Sequence, residues 1–566
     1  MKICSRSLRA LSAGSLFLLA GLAPIAPALA FVPTHPAPPA ETPAVPAKSP
    51  AAPRPAVAFV DGKEVPVPAI PMGDAATIAK ILEEGKNNNQ VMSHLRHLTK
   101  EIGPRLTGST RLETANKWAK AQYDLWGLSN ARLEEWGSIA TRFDRGPSRA
   151  TVVLRDEREK DGQKVTEYKK VRDMQISSPA WTKGTQGVVR AEVVRAPSTD
   201  EEYAAVRESL KGKWILLPAE PAVGMRGVRN RLSTSIEARA EARKEVAEGK
   251  KKQEEIALPQ RLIFDGVAGF ISTTRDERVW TGGAPGWKER PLAEIADDIH
   301  IVVRLSDYDC INSRLADKEP VEIEVDLQHT LTQGPIPCFN TIAEIKGTEK
   351  PEEVVIVSAH LDSWDGPGSQ GATDNGTGSA VVLEAARILA ASGAKPKRTI
   401  RFINWTGEEQ GLLGARGYVK LHKEEILKTV SACFVDDGGT NYQGGLPAAE
   451  NQVDYLAAAT APVNNVFFDE VDKKYLNVNV RNTGKNIETH GSSDHAAFNQ
   501  IGVPGFFWDE VGRADYGFGW HTQNDTYELA IETYLKQSST CMAVTAFNLA
   551  CAPDLLPRVV KEEKKD

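Results

Sequence analysis

Cysteine is scarce and unpatterned. Six occur in 566 residues (Cys4, Cys310, Cys338, Cys433, Cys541 and Cys551), and none form Cys-x-x-Cys or zinc-finger spacing. That excludes a cysteine-built metal site and argues against a disulfide-dependent scaffold. The five after Cys4 are an odd set that reads as buried free thiols. Positive charge is lacking too: the formal net charge is −6, and no basic stripe follows a helical stretch, so no nucleic-acid partner is expected. There is no Gly-x-Ser-x-Gly and no His-Glu-x-x-His, which removes a serine-hydrolase elbow and a thermolysin-like arrangement. After the first thirty residues nothing stays apolar for the ~20 positions that span a bilayer.

What is present begins with an export signal. Lys2, Arg6 and Arg9 form a positive start, Ala10 to Ala23 is apolar, and Ala28-Leu29-Ala30 is a small-x-small cleavage site. Residues 1–30 are therefore read as a signal peptide, with the mature chain in the periplasm or the medium. Its loss removes three cations and takes the net charge from −6 to −9. No lipobox cysteine points to a lipid anchor.

At this length two folded units plus accessory segments are expected. Residues 31–72 hold twelve prolines and read as a Pro/Ala-rich linker, with a small hairpin around Asp61-Gly62. Residues 73–130 have helical spacing, with Ser109 or Thr110 as a cap, and form the N-terminal helical part of the main domain. His94 and His97 share a helix face there, read as solvated or half-buried rather than as a metal pair. Residues 131–335 carry short β-rich runs and read as an inserted β-rich domain, with a solvated helix over Ile236 to Glu255. The main domain resumes over 336–555, and 556–566 is a charged tail.

From Val354-Val-Ile-Val357 onward, apolar strands alternate with helices: Thr399 to Ile403, Ala432 to Val435, and helices from about Gly378, Gly411 and Tyr527. The fold class expected is α/β, a doubly wound and mainly parallel sheet, which binds ligands at the carboxyl ends of its strands. The polar residues sit there. The first strand ends in His360-Leu-Asp362, a Gly-rich loop carries Asp374, the next strand ends in Glu408-Glu409, a third in Asp436-Asp437, and His521 comes near the end. Two histidines with several carboxylates suit zinc bound through nitrogen and oxygen. One carboxylate can bridge two metals. Of the adjacent glutamates, one can ligate while the other reaches a water as a base, and Asp362 can accept the second N–H of His360.

These strings resemble the co-catalytic zinc aminopeptidase and glutamate carboxypeptidase family. The likeness runs through Glu101-Ile-Gly-Pro-Arg-Leu-Thr-Gly-Ser109, His360-Leu-Asp-Ser-Trp-Asp365, Lys397-Arg-Thr399, Trp405-Thr-Gly-Glu-Glu-Gln-Gly411 and Gly502-Val-Pro-Gly505. The resemblance implies two zinc ions: one on His360 and Asp437, the other on Glu409 and His521, with Asp374 bridging and Glu408 as general base. Asp437 is preferred to Asp436 because Asp437-Gly-Gly-Thr440 fits the family string. Where many relatives have Tyr or His before the last ligand this chain has Trp520; Tyr516 is a candidate oxyanion partner and reads equally as an ordinary aromatic of the loop. Asp494 resembles a position beside the substrate and reads equally as a helix N-cap, with His495 a surface residue. The insert's place resembles a protease-associated-like domain covering the cleft. The implied activity is hydrolysis of short peptides by an exported exopeptidase, for which a homodimer is compatible. A non-catalytic receptor-like domain and a single-zinc cyclotransferase are the alternatives on the same fold; both need fewer ligands than stand here.

Overall fold

The run Val354-Val-Ile-Val357 fixes the middle of the main sheet. In the computed structural model it lies in the strand Lys350–His360, where Val355 and Val357 enter one core and Val354 and Ile356 another. Successive side chains of a strand face opposite ways, so an unbroken apolar run requires cover on both sides. The structure describes residues 56–219, 241, 244–252, 261–262, 265–284, 286–295, 298–485 and 491–559. The signal, the linker up to residue 55 and residues 560–566 of the tail lie outside them; the described part of the Ile236 to Glu255 run is helical at 241 and 244–247.

Strand Lys350–His360 pairs in parallel with Arg398–Trp405 on one side and Val430–Val435 on the other, and Val430–Val435 pairs in parallel with Gly505–Phe507. Helices Thr377–Ala391 and Glu532–Cys551 pack into the core on one face. Leu413–Leu421, Lys423–Thr429 and His495–Gln500 pack into the core on the other. The sheet as a whole is mixed. Glu322–Ile345 runs antiparallel to Arg398–Trp405 and then pairs antiparallel with Ser129–Lys160, a strand that itself folds back on Gln163–Met174. Bulges and the Gly334-Pro335 step break the alternation of these two long strands, so in sequence each reads as several short runs.

Through the middle of the chain, Val189–Arg195, Trp214–Leu216, Gly269–Thr273 and His300–Val303 are all mutually parallel. Helix Leu305–Ala316 joins their core of Val193, Trp214, Ile271, Ile301 and Ile311. Val189–Arg195 also pairs with Glu322–Ile345, so both parts of Arg54–Asp566 share one hydrogen-bonded sheet.

Near the N-terminus, Asp61 and Gly62 take positive φ between Ala58–Val60 and Lys63–Val65, which closes the hairpin. Asp74 and Ser109 accept backbone N–H bonds as N-caps of Ala75–Asn87 and Thr110–Leu125. His94 departs from the solvated reading: it is buried, lies 3.0 Å from Glu384 and packs against Trp118 and Trp126. Glu384, nearly three hundred positions away, supplies the acidic partner. Among the described residues no helix is long and apolar enough to cross a membrane.

Candidate metal centre

Parallel strands deliver the polar side chains to one end of the sheet. His360 is the last residue of its strand, Glu408 and Glu409 follow Arg398–Trp405, and Asp437 follows Val430–Val435. Asp374 sits in the turn Ala372–Gly376 that leads into helix Thr377–Ala391. Asn375 ties that turn to the third strand end, donating to the Asp436 carbonyl at 2.8 Å and accepting from Gly378 N–H at 2.9 Å. Gly378 is required there, since a Cβ would stand 2.2 Å from the same carbonyl. His521 follows the short helix Tyr516–Gly519, with φ 55°.

Asp374 faces both histidines. Its Oδ1 lies 3.3 Å from His360 Nε2 and its Oδ2 lies 2.9 Å from His521 Nε2. Asp437 Oδ1 completes one group at 3.0 Å from His360 Nε2, and Glu409 Oε2 the other at 2.9 Å from His521 Nε2. In each group of three the ligand atoms lie within 4.8 Å of one another. Glu408 Oε2 stands 4.0 Å from His360 Nε2 and belongs to neither group. Asp436 turns away and accepts from Gln443 Nε2 at 2.6 Å.

Supporting contacts differ in part from the sequence reading. His360 Nδ1 bonds the main-chain carbonyl of Asp362 at 3.0 Å, and the Asp362 carboxylate is 3.7 Å away. That carboxylate accepts instead from the N–H groups of Glu408 and Glu409 and from Thr107 Oγ1, so it fixes the loop that aims the two glutamates. The strand ends at His360, and the turn after it brings the Asp362 carbonyl, rather than the side chain, to the imidazole.

Two residues given no role from sequence also hold the cluster. Asp525 accepts from Thr373 N at 2.5 Å and Oγ1 at 2.7 Å and from Asp374 N at 3.3 Å. Arg105 is buried and donates to the carbonyls of Leu98, Gly103, Leu361, Gln370 and Gly371, joining the His360 and Asp374 loops. Burial lowers its pKa to about 10. The only signal for Arg105 was its place in Gly103-Pro-Arg-Leu106; for Asp525 there was none beyond nearness to His521.

Electrostatics mark the cluster as a cation site. Burial opposes protonation of His360, but Asp437 and Glu408 outweigh it and hold its pKa well above the ordinary range. His521 is likewise raised to about 10, burial being overcome by Glu409 and Asp374. Burial, then Asp374, lifts Glu409 to about 7, and burial pushes Glu408 well up. Among the described residues Asp374 Oδ2 meets no well-aligned hydrogen-bond donor, although the His521 imidazole nitrogen lies 2.9 Å away, which leaves a buried carboxylate oxygen free for a cation. Two imidazoles and three carboxylates with a central shared aspartate fit divalent ions of the zinc class.

A cleft of about 490 Å³ opens onto the cluster, lined among others by Gln410, Leu412, Arg416, Phe507, Tyr516 and Trp520. Tyr516 therefore faces the site; its ring packs on Gly439, and burial raises its pKa well above the usual phenol range. Asp494 does not line the cleft. It occupies the N-cap position of His495–Gln500 without a side-chain cap bond, and its buried carboxyl has no hydrogen-bond partner among the described residues. His495, expected at the surface, is buried, its ring against Phe507 of the sheet strand on which the helix packs. A larger cleft of about 780 Å³ lies beside Ala150, Tyr168 and Arg190; its charges pair internally, as Arg190 with Glu324 and Arg149 with Asp326.

The loop bearing His521 is held by a segment some 240 positions earlier in the chain. Thr281 N and Oγ1 donate to the His521 carbonyl at 2.9 and 3.2 Å. Val279 N donates to Gln523 Oε1 at 2.6 Å, and Gln523 N donates back to the Val279 carbonyl at 3.2 Å. Arg278 Nη1 donates to the Gly517 carbonyl, and Trp280 meets Trp520 edge-on.

Residues 340–545 match the family described as Peptidase family M28. Carboxypeptidase Q of Mus musculus is 29% identical over 490 residues, covering 86% of this chain and 90% of its own. Aminopeptidase YwaD of Bacillus subtilis is 29% identical over 239 residues, 40% of this chain and 48% of its own. Among solved structures, a peptidase M28 precursor from Shewanella amazonensis has the same fold, with a TM-score of 0.56 at 23% identity over 86% of this chain and 98% of its own.

Proposed function

We propose that this chain, whose residues 340–545 match peptidase family M28, is an exported metallopeptidase using two zinc ions to release residues from the ends of short peptides. The observation that carries this is the central aspartate: Asp374 offers one oxygen to His360 and the other to His521, and each histidine has its own second carboxylate. His360, Asp374 and Asp437 would hold one ion, and Asp374, Glu409 and His521 the other. Bound there, zinc lowers the pKa of a coordinated water toward roughly 7 and polarises a carbonyl oxygen.

The remaining chemistry belongs to the chain. Glu408, raised in pKa and outside both ligand groups, takes the proton of the attacking water and passes it to the leaving amine. Tyr516 faces the same cleft and is the hydroxyl placed to support the carbonyl oxygen as charge grows on it. Residues 131–335 act as a protease-associated-like insertion that narrows access to small substrates. Export rests on the Lys2 to Ala30 signal pattern.

Purified mature protein, stripped with chelator and assayed on unblocked dipeptides before and after zinc is returned, tests this. Activity lost on stripping and restored at about two zinc ions per chain is the expected result. Full hydrolysis without metal would end the proposal.

A further inference from the structure

The cleft contains one fixed cation. Among its lining residues Arg416 alone carries a guanidinium or ammonium group, in the same lining as Asp374, Glu408, Glu409 and Asp437. It is the fourth residue of helix Leu413–Leu421, near the end where the macrodipole disfavours a cation. Its side chain is exposed and makes no ion pair or hydrogen bond with any described residue. Arginines elsewhere around the sheet are matched: Arg387 to Glu84 and Glu384, Arg401 to Glu344, Arg145 to Asp365. Beside Arg416 in the lining, the Gln410 side-chain amide is buried and also lacks a hydrogen-bond partner among the described residues.

We propose that Arg416 receives the C-terminal carboxylate of the substrate, so that the protein acts on short peptides with a free carboxyl end. This rests on the peptidase function proposed above. The planar guanidinium fork matches a carboxylate in two parallel hydrogen bonds. Charge supports the assignment: two divalent ions offset the four carboxylates of the lining, and Arg416 then leaves the loaded cleft with a positive excess. Size supports it as well. A volume of about 490 Å³ suits a small ligand, so a peptide cut near its end keeps that end within the cleft. Phe507 and Trp520 provide apolar walls for the side chain next to the carboxylate.

The test compares leucyl-alanine with leucyl-alaninamide on the zinc-loaded protein. Wild type should favour the free acid in kcat/KM by at least ~10-fold, the scale of one charge-assisted contact. Arg416→Ala should bring the acid-to-amide ratio close to one, and Arg416→Lys should keep part of the preference. In calorimetry, the zinc-loaded Glu408→Gln protein should bind the acid at least ~10-fold more tightly than the amide. Equal treatment of acid and amide by wild type, or a ratio untouched in Arg416→Ala, overturns the inference while leaving the peptidase function standing. Wild type that cleaves neither dipeptide, yet binds the acid through Arg416, overturns the peptidase function and keeps the carboxylate site.

Discussion

Two glutamates stand side by side after strand Arg398–Trp405 and face different neighbours. Glu409 points at His521, and Glu408 stands 4.0 Å from His360 outside both ligand groups. Both backbone N–H groups bond the Asp362 carboxylate, so the loop that carries the two side chains is held by a residue outside both ligand groups. Glu408→Gln should therefore keep zinc content near that of wild type and lower turnover at least ~10²-fold, measured by metal analysis beside steady-state rates. Normal turnover in that variant would remove Glu408 from the chemistry. His360, Glu408, Glu409 and Asp437 were legible because they follow or end strands, a position that commits a residue to one edge of the sheet, whereas Asp374 and His521 lie in loops and their ligand roles came from the family resemblance. Arg105, Asp525 and the Asp362 carboxylate act through main-chain groups that only tertiary folding brings near, and no spacing announces such contacts. His495 was misplaced for a related reason: a six-residue helix shows no period from which to tell its buried face.

At the scale of elements, the segment Glu277 to Gly283 is part of the site without lining it. It holds the carbonyl of His521 and both ends of Gln523, so it fixes a loop whose ligand residue has φ 55°. Contacts that orient a ligand typically change metal affinity ~10–100-fold when lost. Gln523→Ala removes the bond to Val279 N–H, and zinc titration should then separate into two steps, with the weaker one reduced by about that factor. Circular dichroism should stay as in wild type. Two zinc ions retained at wild-type affinity would show that the segment merely packs against the loop. The parallel strands behind His360 and Asp437 were readable from their unbroken apolar runs, and the one before Glu409 from the β-rich stretch Thr399 to Ile403. This clamp was not, since it joins positions some 240 apart through backbone groups that any sequence carries.

For the molecule as a whole, the cluster couples metal to protons and so to stability. Without metal, His521 is raised to about 10 from an ordinary 6.5, and Glu409 to about 7 from an ordinary 4.5. Both folded-state values lie above those of the unfolded chain, so the folded metal-free protein binds more protons over that range. The sign follows: the stability these protons contribute is complete below the unfolded values, and it is lost as pH rises through 7 for Glu409 and toward 10 for His521. Zinc takes the place of the same protons and binds only the folded arrangement, so it stabilises by mass action most where they have already left. The rise in Tm on adding zinc to stripped protein should therefore be larger at pH 8 than at pH 6. Zinc binding near pH 7 should also release protons, seen as a calorimetric heat that depends on the ionisation enthalpy of the buffer. A zinc-induced Tm shift that is the same at both pH values, with no buffer dependence, would mean that these ligands are not the ones zinc displaces protons from.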